Sequence, residues 1–253
     1  MSFSVVRMEG YKLSRHPMTW ALMALCIGLL SLLFYRLCVD YLQLMQQALS
    51  ARNTNTSLFV GVIRPFCSWT LVIFSIIIPL FTTMAFSYEY RHKTFYLWAT
   101  SSWNAKEIVV GKFLSLLFLF ILILCFMAIM IASLNLETAL EWKAISLALV
   151  GIGLMVSSLI SFGLFISSII PQPVLAVGLT FISNITWLLL EWLNPFPKQW
   201  ENLAATFSLL NQLYYAFNGF LYSSDILFYL LFTTFWLLAT QRIIANKMMH
   251  VAP

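Results

Sequence analysis

Residues 89–112 read EYRHKTFYLWATSSWNAKEIVVGK, and residues 113–134 read FLSLLFLFILILCFMAIMIASL. The second string is apolar throughout and exceeds the about 20 residues a helix needs to cross a bilayer. The first holds Glu89, Arg91, His92, Lys93, Lys106, Glu107 and Lys112. Before it lies another apolar run, Pro65–Tyr88. The stretch therefore reads as two membrane-crossing helices joined by a charged segment.

The rest of the chain repeats this pattern. Hydrophobic residues make up 61% and charged residues 9% of the 253 positions, whereas a soluble domain carries about 25% charge. Six runs are long enough to span: Met18–Cys38, Pro65–Tyr88, Ile108–Leu134, Trp142–Ile170, Val174–Trp192 and Ile226–Ile243. None alternates as a strand does, so helices must satisfy the backbone inside lipid. The expected class is an all-α integral membrane protein of six transmembrane helices, forming one domain over residues 1–253. The first run follows a basic amphipathic start and lacks a small-residue cleavage site, so it reads as an anchor and not as a removable signal.

Basic residues set the orientation. With both termini and the 89–112 segment on one side, that side carries Arg7, Lys12, Arg15, Arg91, Lys93, Lys106, Lys112, Arg242 and Lys247. The other carries Arg36, Arg52, Arg64, Lys143 and Lys198. Nine against five puts the first side in the cytoplasm, with both termini there and the chain multi-pass in the cell (inner) membrane. The net charge of +5 is then a topology signal; the basic residues are spread over separate segments, which argues against nucleic acid. Cys26, Cys38, Cys67 and Cys125 are scattered without metal-ligand spacing. Cys38 and Cys67 flank the first outer loop, where a bridge is conceivable.

In residues 2–15 the apolar Phe3, Val6, Met8 and Leu13 interleave with Arg7, Glu9, Lys12 and Arg15. That suits a helix lying in the membrane interface, and equally a simple positive flank. His16-Pro17 then turns the chain into the first span. In the central segment Tyr90, Thr94, Leu97 and Trp98 share helical spacing, and Ser101–Asn104 breaks that helix. Asn104 can cap the next one, with Glu107 three residues on in the capping-box position. An ordinary charged hairpin with snorkelling lysines fits the same residues.

Gly153, Ser157 and Ser161 repeat every four residues in the fourth run, so one face can approach another helix, within the chain or in a second subunit. Residues 193–224 are too apolar for a solvated loop and too broken by Asn, Gln and Gly for a span; short interfacial or re-entrant helices fit best. Asp225 is suited to cap the last helix. Protease motifs, phosphate loops and metal-ligand clusters are absent from the sequence, and no carboxylate lies mid-span. A membrane enzyme or an ion channel therefore has little support, and any active movement must draw its energy from a partner.

Three features together resemble a known family. One is Glu89, Thr94, the Ser101–Asn104 turn, then Glu107, Gly111 and Lys112 leading into the third span. The second is Phe207–Leu230, with Ser208, Phe217, Gly219 and Asp225. The third is the amphipathic start. The chain resembles the membrane subunits of type-2 ABC exporters (ABC-2 permeases), especially the six-span branch that includes gliding-motility and copper-site-maturation permeases. That branch usually carries Gly before the Thr and Pro in the turn, where this chain has Lys93 and Ser101–Ser102.

The resemblance implies two permease subunits, identical or related, working with two copies of a cytosolic ABC ATPase. ATP and magnesium would be bound by that partner, so this chain would carry no catalytic, cofactor or metal site and would not itself be an enzyme. Residues 90–100 would be the coupling helix, with Glu89, Tyr90, Arg91, Thr94, Phe95, Leu97 and Trp98 meeting the ATPase. Residues 2–15 would be an elbow helix anchored in membrane lipid by Arg7, Lys12 and Arg15. Residues 194–223 would form outer re-entrant helices between the fifth and sixth spans, with Asn211, Tyr214, Tyr215, Phe217 and Gly219 at the outer gate. The expected function is export of a substrate the sequence does not name. The alternative is a mechanotransmission or assembly subunit that passes an ATP-driven shape change to an outer-side partner without transport.

Overall fold

The computed structural model of the protein describes residues 2–51, 58–94, 103–134, 142–189, 213, 216–217, 220 and 222–251. Its regular elements are all helical: α1 (Ser2–Arg15), α2 (Pro17–Ala51), a π-helical turn (Phe59–Ile63), α3 (Arg64–Ala85), α4 (Ser87–Arg91), α5 (Ala105–Ser133), α6 (Trp142–Ile169), α7 (Pro173–Leu189) and α8 (Ser223–Val251).

The helix limits follow from local chemistry. Pro17 opens α2, where its fixed φ and missing N–H cost nothing. α2 then runs 35 residues, about 52 Å, so it outlasts the expected first span and projects past a hydrocarbon core about 30 Å thick. The expected capping box forms at α5. Asn104 has extended backbone, and its N–H donates to Glu107 Oε2 at 3.3 Å. At α8 the aspartate acts one turn further in than a cap: Asp225 lies at the third helical position and accepts from the Tyr222 N–H at 3.4 Å.

Among the described residues five helices are long and apolar enough to cross a membrane: Pro17–Gln46, Phe59–Ala85, Ala105–Ser133, Trp142–Ile169 and Ser223–Met249. The expected fifth span of six corresponds to α7, which has 17 residues and a length of about 26 Å.

α3 is the hub. Phe66, Leu71, Phe74, Ile77, Ile78 and Phe81 are fully buried along it, and Phe74 and Phe81 both meet Phe120 of α5 edge-on. α6 packs against α3 and α8 through small residues. A Cβ on Gly163 would lie 2.5 Å from Thr82 Oγ1, so only glycine permits this approach of α6 to α3. Of the expected small-residue face, Gly153 lies against Leu124 of α5 and Ser157 Oγ is 3.4 Å from Thr233 Oγ1 of α8. Ser161 is buried and bonds back to the Ser158 carbonyl. The face is thus used for packing inside one chain. All four cysteines are free thiols.

Long-range bonds gather five helices, α1, α4, the start of α5 and the ends of α6 and α8, at one end of the bundle. Ser87 of α4 bonds to Ser167 and Ile170 at the end of α6. Lys247 near the end of α8 donates to the Ser168 carbonyl at 2.7 Å. α1 lies against the start of α5, where Ser115 Oγ donates to the Val6 carbonyl at 3.1 Å. The N-terminal helix, the 87–94 segment and the C-terminal helix therefore share one end.

Candidate functional site: a buried ion cluster beneath the charged turn

α1 meets α5 at Gly111, where a Cβ would come within 2.6 Å of Val5 Cγ1. That contact lets α1 settle against α5 beside Lys112. The face buried is Val5 and Glu9, a step round from the apolar positions Val6 and Met8 read from the sequence; Met8 is 47% exposed.

Lys112 Nζ donates to Glu9 Oε1 at 3.0 Å and to Glu89 Oε1 at 2.8 Å. Lys12 also donates to Glu89 Oε1. The side chains of Glu89, Lys112 and Glu9 are 1%, 2% and 6% exposed, whereas Lys12 is 51% exposed. Phe86 closes the cluster, its ring centroid 5.1 Å from Lys112 Nζ. Two lysines balance two glutamates. Burial pushes the Glu89 carboxyl up, but Lys112 and Lys12 outweigh it and hold the group below the usual carboxylate range. Charges this deep are held only when paired and hydrogen-bonded. The cluster thus joins three elements far apart in sequence: α1, α4 and the start of α5.

α4 ends directly above it. Lys93 has φ 58°, the left-handed conformation in which helices commonly stop. Its N–H donates to the Tyr90 carbonyl at 3.2 Å, and the Thr94 N–H to the Glu89 carbonyl at 3.0 Å. These two bonds make a Schellman motif. The continuous helix expected through residues 90–100 is therefore interrupted at its start: α4 stops at Arg91, and the left-handed residue occupies the position where the resembled family usually has Gly.

The expected coupling residues divide accordingly. Glu89 is interior, not on the docking face. Tyr90 is half-buried, with Lys247 Nζ 4.1 Å from its ring centroid. Burial, then the Glu89 charge, raises the Tyr90 phenol above its ordinary value. Arg91 and Thr94 are exposed, as are Tyr88, His92 and Lys93. Tyr88 and His92 pack ring to ring at 4.2 Å. Phe95, Leu97 and Trp98 lie outside the described residues.

Among the elbow residues, Arg7 and Arg15 are exposed and Lys12 joins the cluster; Arg15 stacks over Tyr11 at 4.6 Å. Among the outer-gate residues Phe217 is buried in the main core, while Asn211, Tyr214, Tyr215 and Gly219 lie outside the described residues. The sequence reading missed Glu9 and Lys112 as an ion pair. The available signal was Lys112 itself, a cation four residues inside the expected third span, where a charge needs a named partner.

Among the described residues no His, Cys, Asp or Glu group forms a metal-binding cluster. Comparison of the chain with protein-family models and with curated protein sequences finds no match. The site is read from its own geometry.

Proposed function

We propose that the chain is the membrane subunit of a type-2 ABC exporter, driven by a separate cytosolic ATPase. In this reading the end of the bundle that carries the ion cluster faces the cytoplasm, as the basic-residue bias favours. α7 counts as a sixth crossing, and α1 serves as the elbow. Two ATPase copies and a second permease, identical or related, complete the assembly.

One observation carries the reading. The turn Tyr88–Thr94, exposed at Tyr88 and Arg91–Thr94, is fixed through Glu89 to α1 and to the start of α5. A push on Arg91 or Lys93 is therefore delivered to α1 and α5 together instead of being lost in a loose loop. That is the mechanical property a coupling element needs, and an ordinary snorkelling hairpin does not need it.

The test is site-specific crosslinking from position 93 in the native membrane, with mass spectrometry of the captured chain. A protein carrying a phosphate-binding loop is the expected product, and its yield should fall when Arg91→Glu is introduced. Labelling of Lys93→Cys from the outer side only, or capture of outer-side proteins alone, would overturn the assignment.

A further inference from the structure

Beside the ion cluster lies a cavity of about 290 Å³, between α1 and the near ends of α2, α3, α4 and α7. Its composition is divided. Leu80, Met84, Leu116 and Val177 supply apolar wall, while Lys12, His16 and Arg91 stand on the polar side. Glu9 and Lys112 also reach it, but both, like Lys12, are paired within the ion cluster. Arg91 has no carboxylate within salt-bridge distance among the described residues. Two polar atoms against the cavity, His16 Nδ1 and Thr19 Oγ1, have no hydrogen-bond partner among the described residues.

The depth of the cavity is fixed by its lining. Met18 and Thr19 begin α2, Met84 and Ala85 end α3, and Pro173 and Val174 begin α7. Three apolar helices thus start or finish around it, which is the level of lipid headgroups rather than of acyl chains. Val174 is 77% exposed and Met18 47% exposed beside it, side chains that water would leave uncovered.

We propose that this cavity binds the headgroup and glycerol region of one anionic phospholipid. The phosphate meets Arg91, with His16 beside it, and the first acyl carbons lie on Leu80, Met84 and Val177. The remaining chain length stays in the bilayer. An unneutralised guanidinium selects the anionic headgroup, because a basic recess between span ends is the arrangement that anionic lipids recognise. The apolar wall selects the lipid over a free anion, which would leave that wall against water. The inference does not depend on an ATPase partner, nor on which leaflet the cavity faces.

The experiment uses the full chain, purified in detergent and stripped of lipid. It is then titrated with phosphatidylglycerol, phosphatidylcholine or glycerol 3-phosphate while bound mass is counted by native mass spectrometry. One phosphatidylglycerol per chain is expected, preferred over phosphatidylcholine by about fivefold or more, the effect of one basic contact near a membrane surface. Arg91→Ala should remove that preference and Arg91→Lys should keep part of it. Val177→Trp, which fills the cavity, should abolish retention of both lipids. Equal binding of the two lipids, glycerol 3-phosphate binding as well as phosphatidylglycerol, or unchanged retention in Val177→Trp would each overturn the proposal. Unfolding temperatures of the lipid-free variants separate a lost site from a lost fold, and a Val177→Trp chain that does not fold leaves Arg91→Ala against Arg91→Lys as the deciding pair.

Discussion

Replacing Lys112 by methionine removes the one cation that both buried glutamates share. Its ammonium lies 3.0 Å from Glu9 and 2.8 Å from Glu89. At an effective dielectric of about 20, unit charges about 3 Å apart attract by roughly 5–6 kcal/mol. Desolvation offsets much of this, and breaking a buried pair by removing one partner costs about 3–5 kcal/mol net. Lys112→Met belongs at the upper end. Glu9 loses its lysine altogether, while Glu89 keeps only Lys12, which is half in solvent. For a chain of this size 1 kcal/mol moves the midpoint by about 2–4 °C, so a fall of about 10 °C or more is expected by scanning fluorimetry in detergent. The triple variant Glu9→Gln, Lys112→Met, Glu89→Gln carries no buried charge and should recover most of the loss, because replacing a whole buried ion set is often close to neutral. A Lys112→Met chain within 2 °C of the parent would refute the reasoning. A triple variant that falls further than the single one would also do so.

The remaining expectations concern pH, one left-handed turn and two close helix approaches. Because the Glu89 carboxyl is held below the ordinary value of 4.5, its contribution is present above that value and lost as pH falls through the lowered one; Glu89→Gln should flatten the acid side of a stability profile, and an unchanged profile would contradict the pairing. Lys93→Gly should raise stability by about 0.5–1 kcal/mol, since relief of the left-handed strain exceeds the added chain entropy, whereas Lys93→Val should lower it; equal midpoints would mean the turn is not left-handed. Gly111→Val should lift α1 from α5 and loosen its backbone, so that trypsin cuts faster after the already exposed Arg7, Lys12 and Arg15 in folded protein. Gly163→Ala should cost about 1–3 kcal/mol by driving a methyl into Thr82, and a Thr82→Ala partner change should recover part of it.

The apolar runs were readable because a bilayer demands length and composition, and both are local. Each run falls on a helix, five of these among the described residues are long and apolar enough to cross a membrane, and α2 and α8 outlast their runs. Asn104 with Glu107 was readable for the same reason, since a capping box spans four residues. The ion cluster was not. Glu9 and Lys112 are separated by 103 positions, and no local pattern says which glutamate a lysine will meet. Of the apolar positions read in α1, Leu13 packs against the core and Met8 is exposed, while the buried Val5 and Glu9 were not singled out, because a stripe containing Glu9 does not look apolar. Tertiary pairing made Glu9 an interior residue, and the glycine at 111 admitted Val5. The break at Lys93 was hidden by a helical spacing that continued to Trp98; lysine is a good helix former, and only the bonds from Lys93 and Thr94 reveal the stop.

The cluster also bears on the charge argument for orientation. Lys12 and Lys112 were counted among the nine basic residues of one side, yet both are committed to Glu9 and Glu89. A neutralised, buried pair contributes little to a rule based on flanking cations. Setting these two aside leaves seven basic residues against five on the other side, and the bias keeps its direction with a smaller margin. The cations that remain free to act near α4 are Arg91 and Lys93, both exposed. Arg91→Glu with Lys93→Glu should therefore weaken or scramble the orientation, while Lys112→Met should leave it intact despite its larger effect on folding. Accessibility of an introduced cysteine at position 94 to an impermeant reagent measures the difference. If Lys112→Met scrambles orientation as strongly as the exposed pair, the buried cluster is formed only after insertion, and the residues of α1 and α5 enter the membrane as separate charges.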